Sequence, residues 1–165
     1  MKTWKLWENE KINKEEASLL RRHADEIPVP FDEEGRRDVE TLVDTFVGRD
    51  DAAGLAAPQI GISKQIVVFR NGNFTDKAPI KKGDGNYDVL VNPRITQIRG
   101  DMEKTQEAWY NEKGEKINKR YTGFLARVVQ HELDHLDGKL IVDRGTTIYF
   151  PKEKSLFFDK IFKGE

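Results

Sequence analysis

The chain has 165 residues, 35% of them charged, a formal net charge of −1 and no cysteine. That length supports a single domain over 1–165 with a real core, and the balanced charge supplies no basic field for nucleic acid. The lack of Cys excludes a disulfide framework, a thiol nucleophile and zinc-knuckle chemistry. The opening M-K-T-W-K-L-W-E-N-E has no apolar signal-peptide core, and no later run reaches membrane-spanning length, so the expectation is a soluble cytoplasmic protein.

In chain order, residues 1–12 read as an extended lead-in, with Trp4, Leu6 and Ile12 available to pack on the body and Trp7 uncommitted. Lys14 to Ala24 carries Leu19 and Leu20 in a helix-forming background and predicts a short first helix. Ile27-Pro-Val-Pro30 predicts an extended break, because each proline disfavours helix in the residue before it. Val39, Leu42, Val43, Phe46 and Val47 recur at i, i+3, i+4, i+7 and i+8, an amphipathic helix within Asp32 to Gly48. Asp32 is its N-cap candidate, Glu33 and Glu34 suit the first turn, and Gly48 suits the end. This helix is scaffold rather than chemistry.

Asp50 to Gly61 reads D-D-A-A-G-L-A-A-P-Q-I-G, small and nearly uncharged after the two Asp, so its backbone can approach another group closely. Gln59, after Pro58, either presents a fixed amide able to donate to an oxyanion or simply caps the backbone of a tight turn.

Gln65 to Arg70 predicts a strand, and Asn71 to Asn86 a polar surface loop. Asp88 to Asn92 predicts another strand, stopped by Pro93, with Ile95 and Ile98 in a following extended segment or bend that Gly100-Asp101 ends. Glu107 to Asn111 and Lys116 to Tyr121 can pair across Glu112 to Glu115, with Gly114 at the φ > 0 position of the turn. Beyond Gly138, Lys139 to Val142 and Thr146 to Phe150 read as short strands, and Lys152 to Lys163 as a final helix.

Thr122 to Gly138 (T-G-F-L-A-R-V-V-Q-H-E-L-D-H-L-D-G) carries the strongest chemical signal. Thr122 is a plausible N-cap and Gly138 a plausible C′ residue. At about 100° per residue, His131, Glu132 and His135 fall on a broad apolar arc with Phe124, Leu125, Val128, Val129, Leu133 and Leu136. Arg127, Gln130, Asp134 and Asp137 fill the remaining polar stripe. Two imidazoles one turn apart, with a Glu between them, form the H-E-x-x-H pattern that can share a metal. The bland reading is a pair of core histidines bonded to carbonyls; the only other His is His23.

Together and in this order, these stretches resemble the peptide deformylases. That family's Gly-Leu-Ala-Ala-x-Gln motif is matched by Gly54-Leu-Ala-Ala-Pro-Gln59, with Ala52 where the family has an upstream Gly. Its His-Glu-x-Asp-His motif is matched by His131-Glu-Leu-Asp-His135. Val89-Leu-Val-Asn-Pro93 resembles the strand leading to the middle motif, Glu-Gly-Cys-Leu-Ser, whose Cys is the family's third metal ligand. That motif has no counterpart here: Ile98 to Gln106 (I-R-G-D-M-E-K-T-Q) stands in its place and the stretch looks shortened. The resemblance covers about Glu33 to Asp143.

The resemblance implies an α+β fold, antiparallel strands packed around a central metal-binding helix. It also implies hydrolysis of N-formyl-methionyl peptides to formate, in the N-terminal processing of new chains. The expected agent is a monomer, with the ribosome as a candidate neighbour and no direct nucleic-acid or membrane partner. His131 and His135 would hold one divalent ion, Fe²⁺ in the family or Zn²⁺ by ligand preference, which lowers the pKa of water to roughly 7. Glu132 would move the proton and Gln59 would steady the oxyanion. Gly54 and Leu55 would line the substrate site, and Val128 either walls the methionine pocket or is core packing. Asp101, Glu103 or Glu107 could replace the missing thiolate as third ligand.

The alternatives are a deformylase-like binding domain with weak or no catalysis, a zinc peptidase of another H-E-x-x-H family, and an ordinary α+β domain. The zinc peptidase leaves Gly54–Gln59 without a role, and the ordinary domain leaves both motifs as coincidence.

Overall fold

A five-stranded antiparallel sheet, in the sequential order β3-β4-β5-β6-β7, organises the chain. The strands are β3 (Gly54–Ala56), β4 (Ile66–Arg70), β5 (Tyr87–Arg99), β6 (Lys104–Tyr110) and β7 (Lys116–Thr122). Before them come a two-stranded β1–β2 pair (Trp7–Glu8 with Lys11–Ile12), α1 (Lys14–Leu20) and α2 (Glu33–Val47); α3 (Gly123–Leu136) follows. The computed structural model describes residues 7–8, 11–12, 14–49, 52–72, 79–99, 104–140 and 143.

The period of two along the strands sorts side chains between two cores. Leu55, Ile66, Val68, Val89 and Val91 meet Val39, Leu42, Val43 and Phe46 of α2. Ala56, Val67, Phe69 and Leu90 meet Ala126, Val129, Leu133 and Leu136 of α3. Both faces of β4 are therefore covered, which is why Ile66-Val-Val-Phe69 is a continuous apolar run rather than an alternating one. The α+β architecture with antiparallel strands is as expected, with α3 seated on one face of the sheet.

Asp32 caps α2 by accepting from Gly35 N at 2.7 Å, and Gly48 ends it with its N–H on Asp44 O. The β6–β7 hairpin turns at Gly114, with φ 79°. The expected stop at Pro93 is corrected: β5 runs through it to Arg99. The ladder with β6 skips from Val91 to Arg94, so Pro93, which has no N–H to give, sits at an irregularity. There Asn92 takes φ 50°, and its buried amide accepts from Ile27 N at 2.9 Å and donates to Ile27 O at 2.7 Å.

The first helix ends at Leu20, short of Ala24. Lys139 and Leu140 lie in no strand, and Val142 falls outside the described residues, as do the strand expected at Thr146–Phe150 and the helix expected at Lys152–Lys163. None of the described helices is long and apolar enough to cross a membrane.

Candidate active site

The sequence folds α3 onto the sheet by burying Ala126, Val129, Leu133 and Leu136, and its two ends are fixed by neighbouring segments of the same chain. At its start, Tyr121 is buried and stacks on Trp109 with centroids 5.7 Å apart. Thr122 has the extended backbone of an N-cap, but its side chain makes no capping bond. At its end, Gly138 takes φ 69° and passes so close to Arg21 that an added Cβ would lie 2.2 Å from Arg21 O. Ala24 N also donates to Leu136 O at 2.9 Å. Neither Trp109 nor Tyr121 was singled out from sequence, because their contact is made across strands.

The polar stripe is corrected at two positions. Gln130 is buried and His131 is exposed, the reverse of the arc assigned from ideal periodicity. The shift opens one imidazole to solvent and leaves its partner, His135, partly covered.

Their Nε2 atoms stand 3.2 Å apart, with the ring planes at 83°. That separation matches what two imidazole nitrogens at about 2.0–2.1 Å from one tetrahedral ion would subtend. Burial and the neighbouring His131 push the His135 pKa down to about 3, so its ring is neutral, the form a metal requires. Its buried Nδ1 has no hydrogen-bond partner.

Glu132 lies between them in sequence and on the inner side of the helix. It is 4% exposed, and its Oε2 has no hydrogen-bond partner. Burial pushes its pKa up to about 8. Such a group is costly in a core unless a ligand or reaction uses it. Gly54 packs against this carboxyl: a Cβ there would fall 2.4 Å from Glu132 Oε1. The small residues around Gly54 thus serve a close approach, as the sequence suggested.

β3 and the 3-10 turn Ala57–Ile60 that follows both pack against α3. Gln59, within that turn, accepts from Ala56 N through Oε1 at 2.8 Å, which fixes the amide. This is the backbone-capping role, and it leaves the amide's N–H₂ group as a positioned donor. Leu55 is 2% exposed, paired with Val68 and packed in the core that includes Phe46 of α2. Val128 is buried in the core with Leu133 and Ala56.

Among the described residues, no group of three or more His, Asp or Glu could hold a metal. Asp101 and Glu103 lie outside the described residues, and Glu107 is described only as a strand position opposite Ile95 and Lys119. His23 is engaged elsewhere, with Nδ1 2.9 Å from Ala24 O and Nε2 3.5 Å from Asp137 Oδ1. The donors present fit one divalent ion as far as two imidazoles go.

Residues 9–108 and 108–149 match the family described as polypeptide deformylase. The chain belongs to the peptide deformylase family. A deformylase of Desulforudis audaxviator is 39% identical over 132 residues, 68% of this chain and 78% of that one. The crystal structure of the Thermotoga maritima deformylase is 30% identical, with a TM-score of 0.60, covering 78% of this chain and 92% of its own. A Met-Ala-Ser-bound class I type b deformylase from Acinetobacter baumannii is 25% identical, with a TM-score of 0.62 over the same 78% and 92%. Both halves of the deformylase match meet at Ala108, close to the stretch where the Cys motif has no counterpart.

Proposed function

We propose that this chain is a metal-dependent peptide deformylase, a single domain that removes formate from the N-terminal formyl-methionine of newly made polypeptides. One observation carries the reading. An imidazole pair converging at 3.2 Å brackets a buried carboxyl with an unpartnered oxygen, and that carboxyl lies against the Gly54–Gln59 stretch.

His131 and His135 would hold Fe²⁺ or Zn²⁺, with an oxygen donor from Asp101, Glu103 or Glu107 as the third protein ligand in place of a thiolate. The ion supplies a Lewis acid for the formyl carbonyl and lowers the pKa of water towards neutrality. Glu132 takes the proton that water gives up as it adds to the formyl carbon. It returns that proton to the amine nitrogen as the C–N bond breaks, releasing formate and a free methionyl amine. Gln59, held by its Oε1, donates an amide hydrogen to the oxyanion that develops on the formyl oxygen.

The sheet edge suits an extended peptide. Ala53 O accepts from Arg70 N at 2.9 Å, so backbone groups of that parity face β4. Those of Gly54 then face away from β4, on the edge of the sheet, where a peptide main chain can pair. The related Acinetobacter protein was solved with the tripeptide Met-Ala-Ser bound. Val128 contributes to the wall behind the methionine.

The test is anaerobic purification, metal analysis and formate release from formyl-Met-Ala-Ser. One equivalent of metal, with turnover abolished in Glu132→Ala at unchanged metal content, supports the reading. A protein that binds metal fully and releases no formate contradicts it. Loss of metal in only one of Asp101→Ala, Glu103→Ala and Glu107→Ala identifies the third ligand.

A further inference from the structure

Gly54 and Glu132 approach each other more closely than any side chain at position 54 would permit. A methyl built there would lie 2.4, 2.8 and 2.9 Å from Oε1, Cδ and Cγ of Glu132. Gly54 is not among the positive-φ glycines, so its backbone conformation does not demand a glycine; the clearance does. The flanking strand is rigidly placed, with Gly54, Leu55 and Ala56 paired to Phe69, Val68 and Val67, and with Leu55 and Ala56 buried. Opposite it, Glu132 Oε2 has no hydrogen-bond partner, so at that oxygen no bond fixes the carboxyl and packing must.

We propose that Gly54 is a positioning residue. Its bare main chain is the stop against which the Glu132 carboxyl rests, and the absent side chain sets how far that carboxyl stands from the His131–His135 pair. The proposal rests on the assignment of Glu132 as the proton carrier, and it gives Gly54 a role apart from contact with substrate. Any Cβ at position 54 pushes the carboxyl away from β3 and out of register with the proton it must move.

The contact predicts a particular coupling. Aspartate is one methylene shorter, so in Glu132→Asp the carboxyl withdraws from the space that a Cβ at position 54 would enter. Four full-length proteins test this: the wild type, Gly54→Ala, Glu132→Asp and the double variant. Each is loaded with Zn²⁺, its metal content is measured, and kcat, KM and metal-free Tm are compared.

Gly54→Ala is expected to lower kcat about 10²-fold, the scale of an ångström-sized misplacement, with metal content unchanged. In the Glu132→Asp background the same change should cost less than about threefold in kcat and leave Tm unaltered, a strong non-additivity. Equal effects in both backgrounds, or a Gly54→Ala enzyme with wild-type kcat, would overturn the proposal. If Gly54→Ala does not fold, folding of the double variant supports the contact and failure of both overturns it. A wild type without formate release defeats the functional assignment instead, and the Tm coupling of the metal-free proteins still decides whether the two residues crowd each other.

Discussion

His131 and His135 hold their Nε2 atoms 3.2 Å apart, one imidazole exposed and the other partly buried. In the proposed reading, these two converging nitrogens would serve as a pair of ligands to one ion. Replacing either histidine by alanine leaves a single imidazole, and we expect Zn²⁺ affinity to fall by at least about 10²-fold. Competition titration against a chromophoric chelator measures it. Unchanged affinity in both variants would remove the pair from the metal site.

Metal bound only by the folded chain must stabilise it. With free Zn²⁺ a hundredfold above its Kd, mass action contributes about 2.7 kcal/mol. Chelation should therefore lower Tm, and re-addition should restore it, whereas the His131→Ala/His135→Ala protein should show no such response. Calorimetry with and without chelator reads both.

Asp88 anchors β5 to its neighbours by accepting from Lys119 Nζ at 2.7 Å, Tyr121 OH at 2.8 Å and Asn71 Nδ2 at 2.8 Å. Burial alone would raise its pKa, but these three donors outweigh burial and hold it below the usual Asp range. A depressed folded-state pKa means that its contribution is present above the unfolded value of about 3.9 and is lost as pH falls through the folded one. Asp88→Asn should destabilise the protein by about 1–3 kcal/mol near neutrality. The difference from wild type should shrink as the pH is taken below the usual Asp range, a trend that urea unfolding at several pH values would show.

Asn92 combines a left-handed backbone with two buried bonds to Ile27. Asn92→Ala leaves both Ile27 main-chain groups without that partner and replaces Asn by a residue that tolerates φ 50° less well, an expected cost of about 2–4 kcal/mol. Asn92→Gly relieves only the backbone part and should recover only a minor share. Equal stability of the glycine variant and wild type would show that the Ile27 bonds contribute nothing.

Gly138 meets both conditions that exclude a side chain, positive φ and contact with Arg21 O. Gly138→Ala should therefore destabilise by more than the roughly 1 kcal/mol of backbone conformation alone. Because the clash loosens the end of α3, metal affinity should fall with stability, measured on the same samples.

Local patterns were legible in the sequence where one element decides the outcome. The i, i+3, i+4 repeat gave α2 with Asp32 and Gly48 at its ends, and the His131–His135 spacing gave one helical face. Pro93 misled because a proline breaks a regular ladder but is accommodated at an irregular one, and the irregularity is set by Asn92 and its distant partner Ile27. Gln130 and His131 exchanged their expected environments because the edge of a helical arc is decided by what packs on it. The smallness of Gly54 was visible, but the identity of the group it accommodates depends on a strand and a helix 78 residues apart meeting in space.

The most direct test of the central claim is formate release from formyl-Met-Ala-Ser by one preparation assayed as purified, after chelation, and after re-addition of one equivalent of Fe²⁺ or Zn²⁺ under anaerobic conditions. Turnover that disappears on chelation and returns with the metal is the predicted result. Turnover that survives complete metal removal, or that never appears in the fully loaded protein, would contradict it.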